Sequence, residues 1–105
     1  MARVALVCPD LLFGSKVREA LSRAGHKSVE AGEPAEVLVL DLTDDVERRL
    51  RTARETGLPT LAFYSHVDQR TRARAEEEGV DRIVPRSRMA REAAALVESL
   101  LRDRS

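Results

Sequence analysis

The residue best placed to do chemistry is Asp41. It ends the apolar run Val37-Leu38-Val39-Leu40, bounded by Pro34 before it and Thr43-Asp44-Asp45 after it. Such a run suits a central parallel strand covered on both faces. The carboxyl ends of strands in an open α/β sheet form the crevice where ligands bind, so a carboxylate delivered there is a candidate functional group. The competing reading is an aspartate that starts the turn or caps the next helix. Other chemistry-bearing residues are sparse. With one cysteine and two histidines, His26 and His66, no Cys/His metal cluster is available. Cys8 reads as a small buried hydrophobe on a strand. His66 follows Ser65 directly, but neighbours in one turn rarely form a nucleophile and base, and no third orienting group is evident. There is no glycine-rich phosphate loop and no Gly-x-Ser-x-Gly elbow. Arg82, Arg86, Arg88 and Arg91 could form a basic patch around the last strand and the helix after it, suited to an anion or a nucleic acid. Against this stand a formal net charge of +0, from 18 basic and 18 acidic residues, and few aromatic side chains.

These groups need elements to hold them. Residues 3–8, Arg-Val-Ala-Leu-Val-Cys, read as a first strand ended by Pro9-Asp10. Residues 11–24 place Phe13, Val17, Ala20, Leu21 and Ala24 at helical spacing, with Gly25 as the stop. A weak second strand follows at 26–30, where Val29 is the strong apolar residue. The turn 31–35 leads into the central strand. Residues 44–56 read as a solvated helix with a narrow stripe of Val46, Leu50 and Ala53, capped by Thr43 or Asp44 and stopped by Gly57. Residues 58–64 form the fourth strand, with Pro59 tolerable near its beginning. The segment 67–78 reads as a helix with a thin line of Val67, Thr71 and Ala75, residues 81–85 as the last strand, and residues 87–102 as the most amphipathic helix. Alternating strands and helices imply one α/β domain over residues 1–105. Its expected sheet is parallel and five-stranded, in the flavodoxin-like order 2-1-3-4-5, with helices on both faces. That order brings Asp10, Asp41, Ser65 and Arg86 to one crevice. No signal segment and no membrane-length apolar run is present, so a cytoplasmic location is expected. Arginine outnumbers lysine, and asparagine and tryptophan are absent. A GC-rich genome or selection for ion pairs over thermolabile amides would each produce that bias.

An acid on the third strand, a small hydroxyl on the fourth and a cation after the fifth resemble a response-regulator receiver domain. Leu38-Val39-Leu40-Asp41-Leu42 resembles that family's strand with its phosphoacceptor aspartate. Phe63-Tyr64-Ser65-His66 lies where the family has its switch serine or threonine. Gly79-Val80-Asp81-Arg82-Ile83-Val84-Pro85-Arg86 resembles its Gly-Ala-Asp segment leading to a lysine. The resemblance implies a carboxylate that attacks a phosphoryl donor. A divalent cation on that carboxylate and a paired acid would neutralise the developing charge, with the hydroxyl and the cation holding the remaining oxygens.

Several departures weaken that chemistry. Cys8 and Pro9 stand where the paired acids belong, and neither supplies the hard oxygen that magnesium requires. Asp10 comes one position later and is read as a helix cap ahead of a metal ligand. Arg86 replaces the lysine; it keeps the charge but has a planar head, and a surface arginine near a helix start is the competing reading. Ser65 matches in type and is also a routine N-cap. Tyr64 is one residue too early for an aromatic switch, and Ile83 lacks the ring. The crossover between the second and third strands is too short for its helix, so helix 2 is expected to be deleted. The segment between Asp41 and Leu58 is trimmed as well.

The leading expectation is an atypical pseudo-receiver, a stand-alone signalling module rather than an enzyme, acting by protein–protein interaction without magnesium-dependent phosphorylation. The alternative is a divergent phosphoacceptor in which Asp10 and Asp41 share Mg2+, Ser65 contacts the phosphoryl group of Asp41 and Arg86 is the counter-ion. The third reading is anion or nucleic-acid binding through the arginine patch. Expected partners are a signalling kinase or effector, or a second copy in a homodimer through the last helix or the helix at 67–78. Neither nucleic acid nor membrane is expected as a partner, and no cofactor is expected outside the alternative.

Overall fold

In the computed structural model, which describes residues 2–65 and 67–103, the apolar runs become five parallel strands. These are β1 (Arg3–Val7), β2 (Lys27–Val29), β3 (Val37–Asp41), β4 (Thr60–Tyr64) and β5 (Arg82–Pro85), in the order β2-β1-β3-β4-β5. Four helices alternate with them: α1 (Leu11–Arg23), α2 (Val46–Thr56), α3 (Gln69–Glu77) and α4 (Arg86–Asp103). This is the expected flavodoxin-like arrangement.

Strand alternation divides the core in two. Val4, Leu6, Val37, Val39, Leu61, Phe63 and Val84 face α1 and α4, whose Phe13, Val17, Leu21, Met89, Ala93, Leu96, Val97 and Leu100 complete that layer. Ala5, Val29, Leu38, Leu40, Ala62 and Tyr64 face the other way, toward Leu50 of α2 and Ala75 of α3. Every residue of β3 and β4 is buried, as a strand covered on both faces must be.

The two sides are held differently. The apolar face of α4 is spent on the sheet and on α1. Burial on α2 is limited to Leu50, and on α3 to Thr71 and Ala75, so that pair is locked from outside by charge. Arg74 grips Glu47 through two bonds of 2.8 Å and Glu78 at 2.7 Å, and Glu78 also accepts from Arg54. A connected network with a bidentate arginine contributes where isolated surface pairs contribute little.

Between β2 and β3 the chain makes a short turn with no helix, as the length of that crossover requires. Arg3 of β1 ties that turn to the sheet: its Nε donates to the Pro34 carbonyl at 2.8 Å and its guanidinium lies 3.9 Å from Glu33. A cavity of about 630 Å³ is left between the turn, through Glu33 and Pro34, and the end of α2, through Thr52 and Thr56. His26 precedes β2 rather than opening it. Its Nδ1 accepts the Ala2 N–H at 3.1 Å, so the ring proton sits on Nε2, which faces Glu98 of α4 at 2.9 Å.

Two boundary expectations are corrected. The residue before α2 is Asp45, in the left-handed region at φ 49° and without a side-chain cap, rather than Thr43 or Asp44. Thr43 is drawn back onto Asp41 instead, which leaves the chain one more residue in which to turn. α3 begins only at Gln69, because Asp68 accepts from the Thr71 N–H at 3.0 Å and caps it there.

Candidate functional site

The alternation that builds the core also selects which side chains meet at the carboxyl edge. Leu6, Val39, Phe63 and Val84 all face the α1/α4 layer. Two residues beyond each, with the same parity, stand Cys8, Asp41, Ser65 and Arg86. The register then sets their heights. Leu6 is level with Val39 and Asp41 with Phe63, which is itself level with Val84. Cys8 and Asp41 thus share one level, while Ser65 and Arg86 stand two residues higher, a step of about 6.6 Å along a strand.

Asp41 is accordingly sunk, with 2% of its surface exposed. One carboxylate oxygen, Oδ1, accepts the Thr43 N–H at 2.8 Å and the Thr43 hydroxyl at 2.6 Å. The contact two residues onward is an Asx turn, the local structure an aspartate offers at a strand end. The other oxygen, Oδ2, faces the Cys8 thiol at 3.7 Å, and the same sulfur lies 3.6 Å from the Asp10 carbonyl. Burial first, and the Asp41 charge second, push the Cys8 thiol up to about 11. Cys8 therefore stays protonated as a weak donor to Asp41.

Asp10 is engaged on both sides as well. Its Oδ1 accepts the Phe13 N–H at 3.1 Å and caps α1, and its Oδ2 accepts from Arg86 at 2.5 Å. The Phe13 N–H first and Arg86 second hold this carboxyl below its ordinary value. The Arg86 guanidinium lies over the Phe13 ring, 4.2 Å from its centroid, and that ring packs on Phe63 with centroids 5.0 Å apart. A stacked, paired guanidinium is preorganised in a way a lysine would not be.

Ser65 and Arg86 do come together. With Phe13, Thr43 and Ser87 they line a groove of about 470 Å³, and Asp41 is not among the lining residues. Sequence reasoning singled out neither Ser87 nor Thr43 in this role; for Thr43 the readable signal was its spacing two residues from an aspartate at a strand end. His66, expected beside Ser65, lies outside the described residues. The other arginines of the expected patch are directed elsewhere: Arg82 to Asp103, Arg88 to Glu92 at 3.4 Å and Arg91 to Glu92 at 3.8 Å.

Magnesium asks for several oxygen ligands in near-octahedral array. The oxygens of Asp41 are taken by an N–H, a hydroxyl and a thiol, and those of Asp10 by an N–H and a guanidinium. Among the described residues no group of three or more His, Cys, Asp or Glu side chains is disposed to hold a metal ion. This donor set does not fit magnesium as it stands.

A parallel, doubly wound α/β sheet whose third strand ends in an acid defines the class. Within it, the chain has the fold of response-regulator receiver domains. It superposes on the receiver domain of Francisella response regulator 1452 with a TM-score of 0.81 at 13% identity, covering 100% of each chain. A CheY-like receiver domain protein from Methanospirillum hungatei JF-1 gives 0.82 at 12% identity, over 98% of this chain and 95% of that one. A response regulator from Burkholderia pseudomallei, whose structure carries a phosphorylated aspartic acid and a calcium ion, gives 0.67 at 13% identity, over 81% and 59%. No family model and no curated protein matches the sequence. Among the described residues no helix is long and apolar enough to cross a membrane.

Proposed function

We propose that this chain is a receiver-fold signalling module that acts by engaging a protein partner, a kinase or an effector, without magnesium-dependent phosphorylation of Asp41. The observation that carries the reading is the seal on that carboxylate. A nucleophilic carboxylate must present a free oxygen to the phosphoryl donor. Exposing Oδ1 here means breaking two hydrogen bonds to a charged group, each worth about 1.5–3 kcal/mol. The paired acid that would help draw in a cation is replaced by a thiol that stays protonated. The Burkholderia pseudomallei protein of this fold holds a phosphorylated aspartic acid with calcium; here the Asp41 carboxylate is engaged by Cys8 and Thr43.

Intact mass after incubation with acetyl phosphate and magnesium tests the proposal. The expected result is an unchanged mass, and a gain of one phosphoryl group mapping to Asp41 would overturn it. The rival reading, a divergent phosphoacceptor, draws on the meeting of Ser65 and Arg86 in one groove. It requires backbone amide shifts near Asp10 and Asp41 on titration with magnesium.

A further inference from the structure

We propose that the groove lined by Phe13, Ser65, Arg86 and Ser87 receives an acidic side chain carried by an apolar segment of a partner protein. The inference rests on the protein-binding reading above and names its surface.

Two independent features of the molecule converge there. The first is apolar. Leu11, Leu12 and Val67 are 80%, 82% and 75% exposed, and they are the exposed large hydrophobic side chains among the described residues. All three stand at the carboxyl edge of the sheet. Leu11 and Leu12 open α1 just past β1, beside Phe13, and Val67 follows β4, two residues beyond Ser65. Exposed apolar side chains at the sheet edge that also holds the groove are the mark of an interaction surface.

The second feature is electrostatic. Arg86 spends one N–H on Asp10, and among the described residues it donates to no other acceptor. A guanidinium carries five N–H donors in a planar fork, so a second carboxylate can join Asp10 around the same head. The hydroxyls of Ser65 and Ser87 line the groove without a hydrogen-bond partner among the described residues. The bare donors call for an anion, and the exposed apolar side chains at the same edge call for the chain that carries it. A small free anion would leave Leu11, Leu12 and Val67 in water. A nucleic-acid backbone needs a run of cations, whereas Arg82, Arg88 and Arg91 are turned toward Asp103 and Glu92.

The test is an amide-shift titration of the whole chain, labelled with nitrogen-15. The probe is a synthetic amphipathic peptide alternating leucine and glutamate on one face; its glutamine analogue and inorganic phosphate are titrated in parallel. Saturable shifts are expected at Leu12, Phe13, Ser65, Val67 and Ser87. Binding should weaken about tenfold or more for the glutamine peptide and for Leu12→Ser, a change at an exposed position that leaves the core intact. Arg86→Gln is expected to abolish the charge preference while circular dichroism stays that of the parent. The proposal is overturned if shifts are absent or fall elsewhere, if the glutamine peptide binds as well, or if phosphate alone reproduces the shifts. It is also overturned if the same shifts arise on concentrating the protein without peptide, which would make a second copy the occupant. Each failure leaves the mass measurement on Asp41 standing.

Discussion

Replacing Cys8 with aspartate restores a carboxylate at the position facing Asp41, and the structure sets what that should cost. With the groups about as close as the present 3.7 Å between sulfur and Oδ2, two unit charges repel by about 1 kcal/mol in water and about 4 kcal/mol at an effective dielectric constant near 20. The pair can instead share a proton. Holding one carboxyl protonated at about pH 7 costs roughly 4 kcal/mol, which caps the penalty, and at about pH 5 only about 1.5 kcal/mol. The sign follows: the pair's folded pKa lies above its unfolded value, so the variant regains stability as pH falls. For a domain of this size the deficit near neutrality is a fall in Tm of roughly 4–16 °C. Cys8→Asn, of nearly the same shape and uncharged, is the control. Magnesium should return part of the loss in the aspartate variant alone, about 1.4 kcal/mol at about 10 mM metal for a dissociation constant of about 1 mM. Scanning calorimetry at both pH values, with and without magnesium, reads all of this. If Cys8→Asp is as stable as Cys8→Asn near neutrality, or its deficit does not shrink on acidification, then position 8 does not face Asp41 and the account of the sealed carboxylate fails.

Other predictions follow from the same geometry. Alkylation of Cys8 by iodoacetamide at about pH 8 should be about 100-fold slower in the folded protein than in urea, since raising the thiol from 9.0 to about 11 removes that factor of thiolate; equal rates would show the thiol to be free. His26→Phe strands the buried Ala2 N–H and leaves the half-exposed Glu98 carboxylate to water, and should cost about 1–3 kcal/mol in urea unfolding. Glu78 is held below its ordinary 4.5 by Arg74 first and Arg54 second. Its contribution is present above that value and is lost as pH falls through the lower folded pKa. The stability gap between the parent and Glu78→Gln should therefore close in acid and in high salt; a gap independent of both would remove the network from the account of how α2 and α3 are held.

Much of the fold could be read from pattern alone. Apolar runs ended by Pro9-Asp10, Asp41 and Ser65, alternating with amphipathic helices stopped by Gly25 and Gly57, leave few topologies other than a doubly wound sheet. The short crossover before β3 forbids a helix by length. The cap role of Asp10 was legible too, because an aspartate before a helical repeat has a local partner in the third N–H that follows. Local hydrogen bonds and chain length are properties of contiguous residues, and sequence carries them directly.

What sequence could not decide is which level each side chain occupies. The identities and the parity of Cys8, Asp41, Ser65 and Arg86 are all present in the chain, and from them Asp41 looked like a carboxylate at the mouth of a crevice. Register between strands distant in sequence is a tertiary quantity, settled by how Leu6, Val39, Phe63 and Val84 pack against α1 and α4. It puts Asp41 level with a thiol and beneath Thr43, and lifts Ser65 and Arg86 a step above into a separate groove. Sequence determined that an acid, a hydroxyl and a guanidinium would share one edge of this sheet; the packing of the core decided that the acid would be closed off and the other two left open.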